Sequence, residues 1–162
     1  MADEREQAMQ LWAEDHQARR SLIEGLAEAA LDRPTDFPGW TVRDQAAHVA
    51  SSDEMVLMCA KRLAKGKNLL PVPMPGRVFE WMGSRMNGRT VRRHRRDNAT
   101  QLVAHLDATH GKAADFLATV PPGGFSRAGT VPSMGRMTLA EVLSTVVEHN
   151  REHAAVLRKA LV

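Results

Sequence analysis

A chain of 162 residues, 43% hydrophobic and 25% charged, is long enough for one packed core and too evenly composed to be disordered. A net charge of +3, with 4% aromatic residues and no tyrosine, argues against a nucleic-acid binder, which would need a stronger basic field or rings on which bases stack. The lone cysteine, Cys59, cannot form an intrachain disulfide, and no apolar run approaches the roughly 20 residues of a membrane span. The charged start Met-Ala-Asp-Glu-Arg-Glu has no apolar stretch behind it and carries no secretory signal, so the expected setting is the cytoplasm and the expected organisation is a single domain over 1–162.

In chain order, Asp3 to Ala30 reads as a first helix, with Met9, Trp12, Ile23 and Leu26 at helical spacing. Asp32 to Trp40 contains Pro34, Pro38 and Gly39 and reads as a loop. Thr41 followed by Asp44 resembles a capping box and opens a second helix, whose seam Val42, Ala46, Val49, Val56, Ala60, Leu63 runs to about Gly66. Leu69 to Gly76 is apolar and broken by Pro71, Pro73 and Pro75. A short helix over Arg77 to Asn87 is expected after it. Asn98 with Gln101 opens the third long helix, with Leu102, Leu106, Ala113, Leu117 and Val120 inward. Pro121 to Met137 reads as a long loop. Thr138 with Glu141 caps the fourth helix, which runs to the C-terminus. Four long helices joined this way predict an all-α, antiparallel four-helix bundle.

The fourth helix carries the chemistry. Its inner seam is Val142, Val146, His149, His153, Val156, Ala160, so two histidines lie one turn apart on the core-facing side. Imidazoles at i and i+4 can reach one ion. Alone, the pair is equally readable as two satisfied core or interface histidines, although burying imidazoles in a Val/Ala seam costs free energy unless their nitrogens find partners. His48 on the second helix supplies a third candidate ligand, because bundles build metal sites from facing helices.

The run Gly39-Trp40-Thr41-Val42-Arg43-Asp44-Gln45-Ala46-Ala47-His48-Val49 and the later His149-Asn150-Arg151-Glu152-His153 together resemble the paired motifs of the DinB/YfiT-like superfamily. The N-terminal domain of mycothiol-dependent maleylpyruvate isomerases is similar in the first motif, but in the second it has a glutamate where this chain has His149. Glu148 is next door but points about 100° around the helix. The resemblance covers essentially the whole chain. It implies a four-helix bundle with a divalent metal (zinc or nickel, with iron a third choice) on His48, His149 and His153, and open positions for water or substrate. It further implies a small-molecule substrate and pairing into a homodimer.

Relatives of this kind include S-transferases that use a low-molecular-weight thiol such as mycothiol or bacillithiol, metal-dependent hydrolases and self-resistance proteins. From a different class comes a non-catalytic metal-binding stress-response protein, in which the ion chiefly stabilises the bundle. The thiol S-transferase is the first expectation. Arg92, Arg93 and Arg96, within a run that includes Arg85, Arg89 and Arg95, are candidates to hold the acidic groups of such a thiol. The same run also reads as a solvated basic surface. Cys59 reads as a buried small hydrophobe or a reactive thiol. Asp53 either orients a ligand imidazole or faces solvent. His16, His94, His105 and His110 match no motif and read as surface or structural residues. The proline-stiffened 69–76 segment and the glycine-rich 121–137 loop are candidates for a pocket wall and a lid, or plain connectors.

Overall fold

Helical periodicity in four segments becomes four bundle arms, one of them bent at Ser51. A computed structural model describes residues 4–162. Its elements are α1 (Glu4–Glu24), α2 (Glu28–Leu31), α3 (Val42–Ala50), α4 (Ser52–Leu63), α5 (Gly76–Arg93), α6 (Ala99–Ala118), α7 (Pro122–Phe125), β1 (Ala128–Val131), β2 (Gly135–Thr138) and α8 (Leu139–Leu161). α1 packs against α8 and α6, the α3/α4 arm packs against α6 and α8, and α5 lies against α3 outside this bundle. The expected four-helix bundle is present. The expected start at Asp3 lies outside the described residues.

The starts are set by side chains. At Thr41, Asn98 and Thr138 the cap side chain accepts from the backbone N–H three residues on, and Asp44, Gln101 or Glu141 answers at the cap's own N–H. Each box satisfies two donors that a helix leaves orphaned, worth about 1 kcal/mol for a typical cap.

Three departures from the sequence reading have local causes. The first helix stops at Glu24, where Gly25 follows, and only one turn, α2, forms before the loop. The second helix breaks into α3 and α4 at Ser51, whose Oγ donates to the Ala47 carbonyl at 2.9 Å while its N–H turns to His48 O at 3.1 Å. A serine bonding back into the preceding turn bends a helix. The stretch expected as a loop from Pro121 to Met137 holds α7 and an antiparallel hairpin, with Ala128 opposite Thr138 and Val131 opposite Gly135. Gly129 lets that hairpin lie on the bundle, since a Cβ there would sit 2.4 Å from Lys67 O. The short helix after the prolines is also longer than expected, reaching Arg93.

The core falls into two clusters. One gathers Trp12, Val56, Cys59, Leu63, Leu117, Phe125, Leu143 and Val147. The other gathers Ile23, Leu31, Val42, Ala46, Leu102, Leu106 and Leu157. Between them along α1, α4 and α8 run buried polar residues: Asp15 and Arg19, Asp53, and Asn150. Among the described residues, no helix is long and apolar enough to cross a membrane.

Candidate metal centre

His48 lies two turns into α3, and His149 and His153 lie one turn apart on α8. The packing of α3 on α8 brings the three rings together, with centroids 5.3 Å apart for His48–His149, 4.6 Å for His48–His153 and 4.4 Å for His149–His153. The ring planes cross at 81°, 73° and 75°. One nitrogen from each lies within 4.8 Å of the others.

The arrangement fits a divalent ion. The Nε2 atoms of His48 and His149 stand 3.1 Å apart. Two nitrogens bound to one tetrahedral zinc at about 2.0–2.1 Å are separated by roughly 3.3 Å, so little movement is needed. His153 Nδ1–H donates to the Oε1 of Gln45 at 2.7 Å, which leaves His153 Nε2 with a free lone pair. Gln45 is fully buried, three residues before His48. Burial first, then the neighbouring imidazoles His153 and His149, pushes His48 down to about 3. Burial, then His149, pushes His153 down to about 4, and burial lowers His149 as well, against the pull of Glu152. All three rings are therefore neutral at pH 7, the form that binds metal. His48 is buried, His153 half-buried and His149 exposed, so the group is closed on the α3 side and open at His149.

A second group, His16, Asp53 and His110, also brings its nitrogens and oxygens within 4.8 Å. Its geometry is different. The rings of His16 and His110 stack at 3.8 Å with planes only 13° apart. Lone pairs lying in parallel, stacked planes do not converge on a common point. Asp53 is already engaged: it accepts from Trp12 Nε1 at 2.8 Å, from Arg19 Nη2 at 2.9 Å and from His110 Nδ1 at 3.1 Å. Burial pushes the Asp53 carboxyl up, but the His110 hydrogen bond and the Arg19 guanidinium outweigh it and hold the group below its usual range. Asp53 therefore neither faces solvent nor contacts the three-histidine group; its imidazole partner is His110. His16 is buried rather than on the surface.

This network reaches the first group through the backbone. Arg19 Nη1 donates to Val49 O at 3.0 Å, next to His48, and Arg19 pairs with Asp15 at 2.7 Å. Asp15 accepts from Asn150 Nδ2 at 2.8 Å, next to His149. α1 thus ties together the two helices that carry the histidines. Gln45 and Asn150 both lie inside the motifs, but their roles depend on partners more than 100 positions away in the chain and have no local signature.

Arg92 and Arg93 end α5, and Arg96 follows in the turn after it. All three are exposed, and no hydrogen bond or ion pair engages their side chains among the described residues. Arg92 borders a shallow depression of about 460 Å³ with Trp81, Ser84, Arg85 and Gly88. Among the described residues, no contact links these arginines to His48, His149 or His153. Cys59 is buried, and burial pushes its thiol up to about 12, which removes it as a nucleophile. The rings of His94 and His105 lie 4.1 Å apart with planes tilted by 34°, with His94 on Asp97 and His105 on Ser51, apart from the three-histidine group. Leu69 packs into the first core cluster, and its N–H donates to Thr130 O, so the 69–76 segment lies against the hairpin.

No curated protein matches the chain in sequence. Its fold is similar to the crystal structure of a mycothiol-dependent maleylpyruvate isomerase, with a TM-score of 0.72 at 13% identity, over 94% of this chain and 60% of that one. The chain thus spans about 60% of the isomerase's length. It is also similar to YfiT from Bacillus subtilis, described as a probable metal-dependent hydrolase with an unusual four-helix bundle topology. There the TM-score is 0.69 at 20% identity, over 99% of this chain and 87% of that one. The sequence pattern of the DinB superfamily matches residues 5–157, nearly the whole chain, and with the bundle and its three histidines in place the chain belongs to that superfamily.

Proposed function

We propose that the protein is a divalent-metal-dependent enzyme in which His48, His149 and His153 hold zinc, nickel or iron, and that it transfers a low-molecular-weight thiol such as mycothiol or bacillithiol to a small electrophile. The observation that carries this reading is the crossed, neutral set of three imidazoles, closed at His48 and open at His149. Three protein donors with an open side are the catalytic pattern of a metal site, whereas a purely structural site is closed by four. A bound divalent ion would hold a thiol as thiolate, or a water as hydroxide, at neutral pH. The chain's own residues do the rest. Gln45 keeps the proton of His153 on Nδ1, and the exposed edge at His149 admits the substrate. Arg92, Arg93 and Arg96, unengaged by any carboxylate, are available for the acidic groups of the thiol.

Hydrolysis is the second reading, supported by the likeness to YfiT over nearly the full length of both chains. The proposed setting is the cytoplasm, with one domain per chain. A homodimer is favoured by the exposed stripe Val78, Trp81, Met82, Met86 on α5, an apolar face at helical spacing that a second copy would cover.

The test is elemental analysis of the purified protein beside His48→Ala/His153→Ala. About one equivalent of metal in the wild type and little in the double variant is the expected result. Thiol conjugation and hydrolysis can then be assayed on the loaded protein. No metal in either protein, even after added divalent ions, would overturn the reading, as would equal metal in His149→Ala and His105→Ala.

A further inference from the structure

The loop between α2 and α3 is tightly closed. Thr35 N–H and Oγ1–H both donate to Trp40 O at 3.0 Å, Trp40 N–H donates to Phe37 O at 3.1 Å, and Phe37 N–H donates to Thr35 Oγ1 at 3.2 Å. Val42 N–H closes the base on Arg33 O at 2.9 Å. Gly39, at φ +77°, makes the turn that a side chain would strain, and Pro38 fixes the residue before it. Asp36 is ion-paired with Lys159 of α8, which anchors the loop to the helix carrying His149 and His153.

This rigid loop holds two aromatic rings over the histidines. Trp40 meets His48 edge-on at 5.3 Å, Phe37 lies 5.0 Å from Trp40, and Phe37 lies 6.2 Å from His153. Phe37 belongs to neither core cluster and is 45% exposed. Its ring is fixed by its backbone and left open beside the candidate ligands. Asp36, next to Phe37, is paired with Lys159, so the ring presents its face without a free carboxylate from its own neighbour.

We propose that Phe37 and Trp40 form a recognition wall of the site, and that its substrate carries a flat apolar group, such as an aryl ring, next to the atom that reaches the metal. This rests on the three-histidine metal reading. Stacking on Phe37 adds to the burial of the substrate ring, together worth about tenfold in affinity. Trp40 also braces His48, so Phe37 is the residue that separates recognition from metal binding.

The experiment uses cobalt(II)-loaded full-length protein and two probes with the same metal-binding head, acetohydroxamate and benzohydroxamate, followed by visible absorption. Wild type is expected to bind benzohydroxamate about tenfold more tightly. Phe37→Ala should lose that preference while its cobalt content and acetohydroxamate affinity stay at the wild-type level, and Phe37→Tyr should keep the preference. Acetohydroxamate binding with no aryl preference in the wild type, or a preference that survives Phe37→Ala, overturns the wall and leaves the metal site standing. Loaded cobalt that neither probe reaches also overturns the wall. Failure to load cobalt at all removes the metal reading and the wall with it.

Discussion

The two histidine groups gather donor atoms equally closely, and what separates them is the state of their lone pairs. Around His48, His149 and His153 the planes cross steeply, one internal partner, Gln45, fixes a tautomer, and among the described residues no carboxylate is hydrogen-bonded to a ring. Around His16 and His110 the planes are parallel, and every oxygen of Asp53 is engaged by a guanidinium, an indole or an imidazole. Proximity alone does not distinguish a metal site from a polar core. Ring orientation and uncommitted acceptors do.

Removing the central cation should break the second group most severely. Arg19→Ala leaves Asp15 and Asp53 buried without their counter-charge and should cost about 3–5 kcal/mol of stability, read by urea unfolding. If the variant unfolds at the wild-type midpoint, the network is not the structural half of the comparison. Gln45→Ala sharpens the other half. Losing the acceptor for His153 Nδ1–H should lower metal affinity about 10- to 100-fold, with Gln45→Glu recovering most of it, as measured by competition with a chelator. An unchanged affinity would mean the tautomer of His153 is set elsewhere.

The last test is a dependence on pH, which both groups share: His48, His149 and His153 are lowered by burial, and two further histidines are lowered as well. Burial, then the charges of His110 and Arg19, lowers His16 against the opposing Asp107 and Asp53. Burial, then His94, lowers His105 against Glu54 and Asp97, with Arg93 adding to the lowering. The unfolded chain then binds more protons than the folded one. The stability these neutral rings provide is complete above about pH 6.5 and falls as the pH drops below it. Denaturation midpoints of metal-free protein between pH 7.5 and 5 should decline with acidification. A flat profile would show that folding does not hold these rings below their ordinary value.

Much of the bundle was legible because its signals are local. Thr41–Asp44, Asn98–Gln101 and Thr138–Glu141 announce helix starts within four residues, and His149 and His153 declare a shared face by spacing alone. The unreadable parts depend on contacts from elsewhere. Asp53 looks the same in sequence whether it faces water or Arg19, and it is the guanidinium, 34 positions away, that decides. His16 resembles a surface residue on α1 until His110 of α6 stacks on it. The hairpin escapes notice because strands of four residues, Ala-Gly-Thr-Val and Gly-Arg-Met-Thr, are too short to show alternation.

The capping boxes also set the phase of the histidines. A helix with one satisfied starting point has one rotational register, and each residue added after the cap turns everything beyond it by about 100°. His48 sits seven positions after Thr41 and His149 eleven after Thr138. A single residue inserted in either interval would swing a ring away from its companions while leaving every side chain intact. Length between cap and histidine is therefore as much a part of the site as the histidines themselves, and change in this chain should be far more tolerable as substitution than as insertion there.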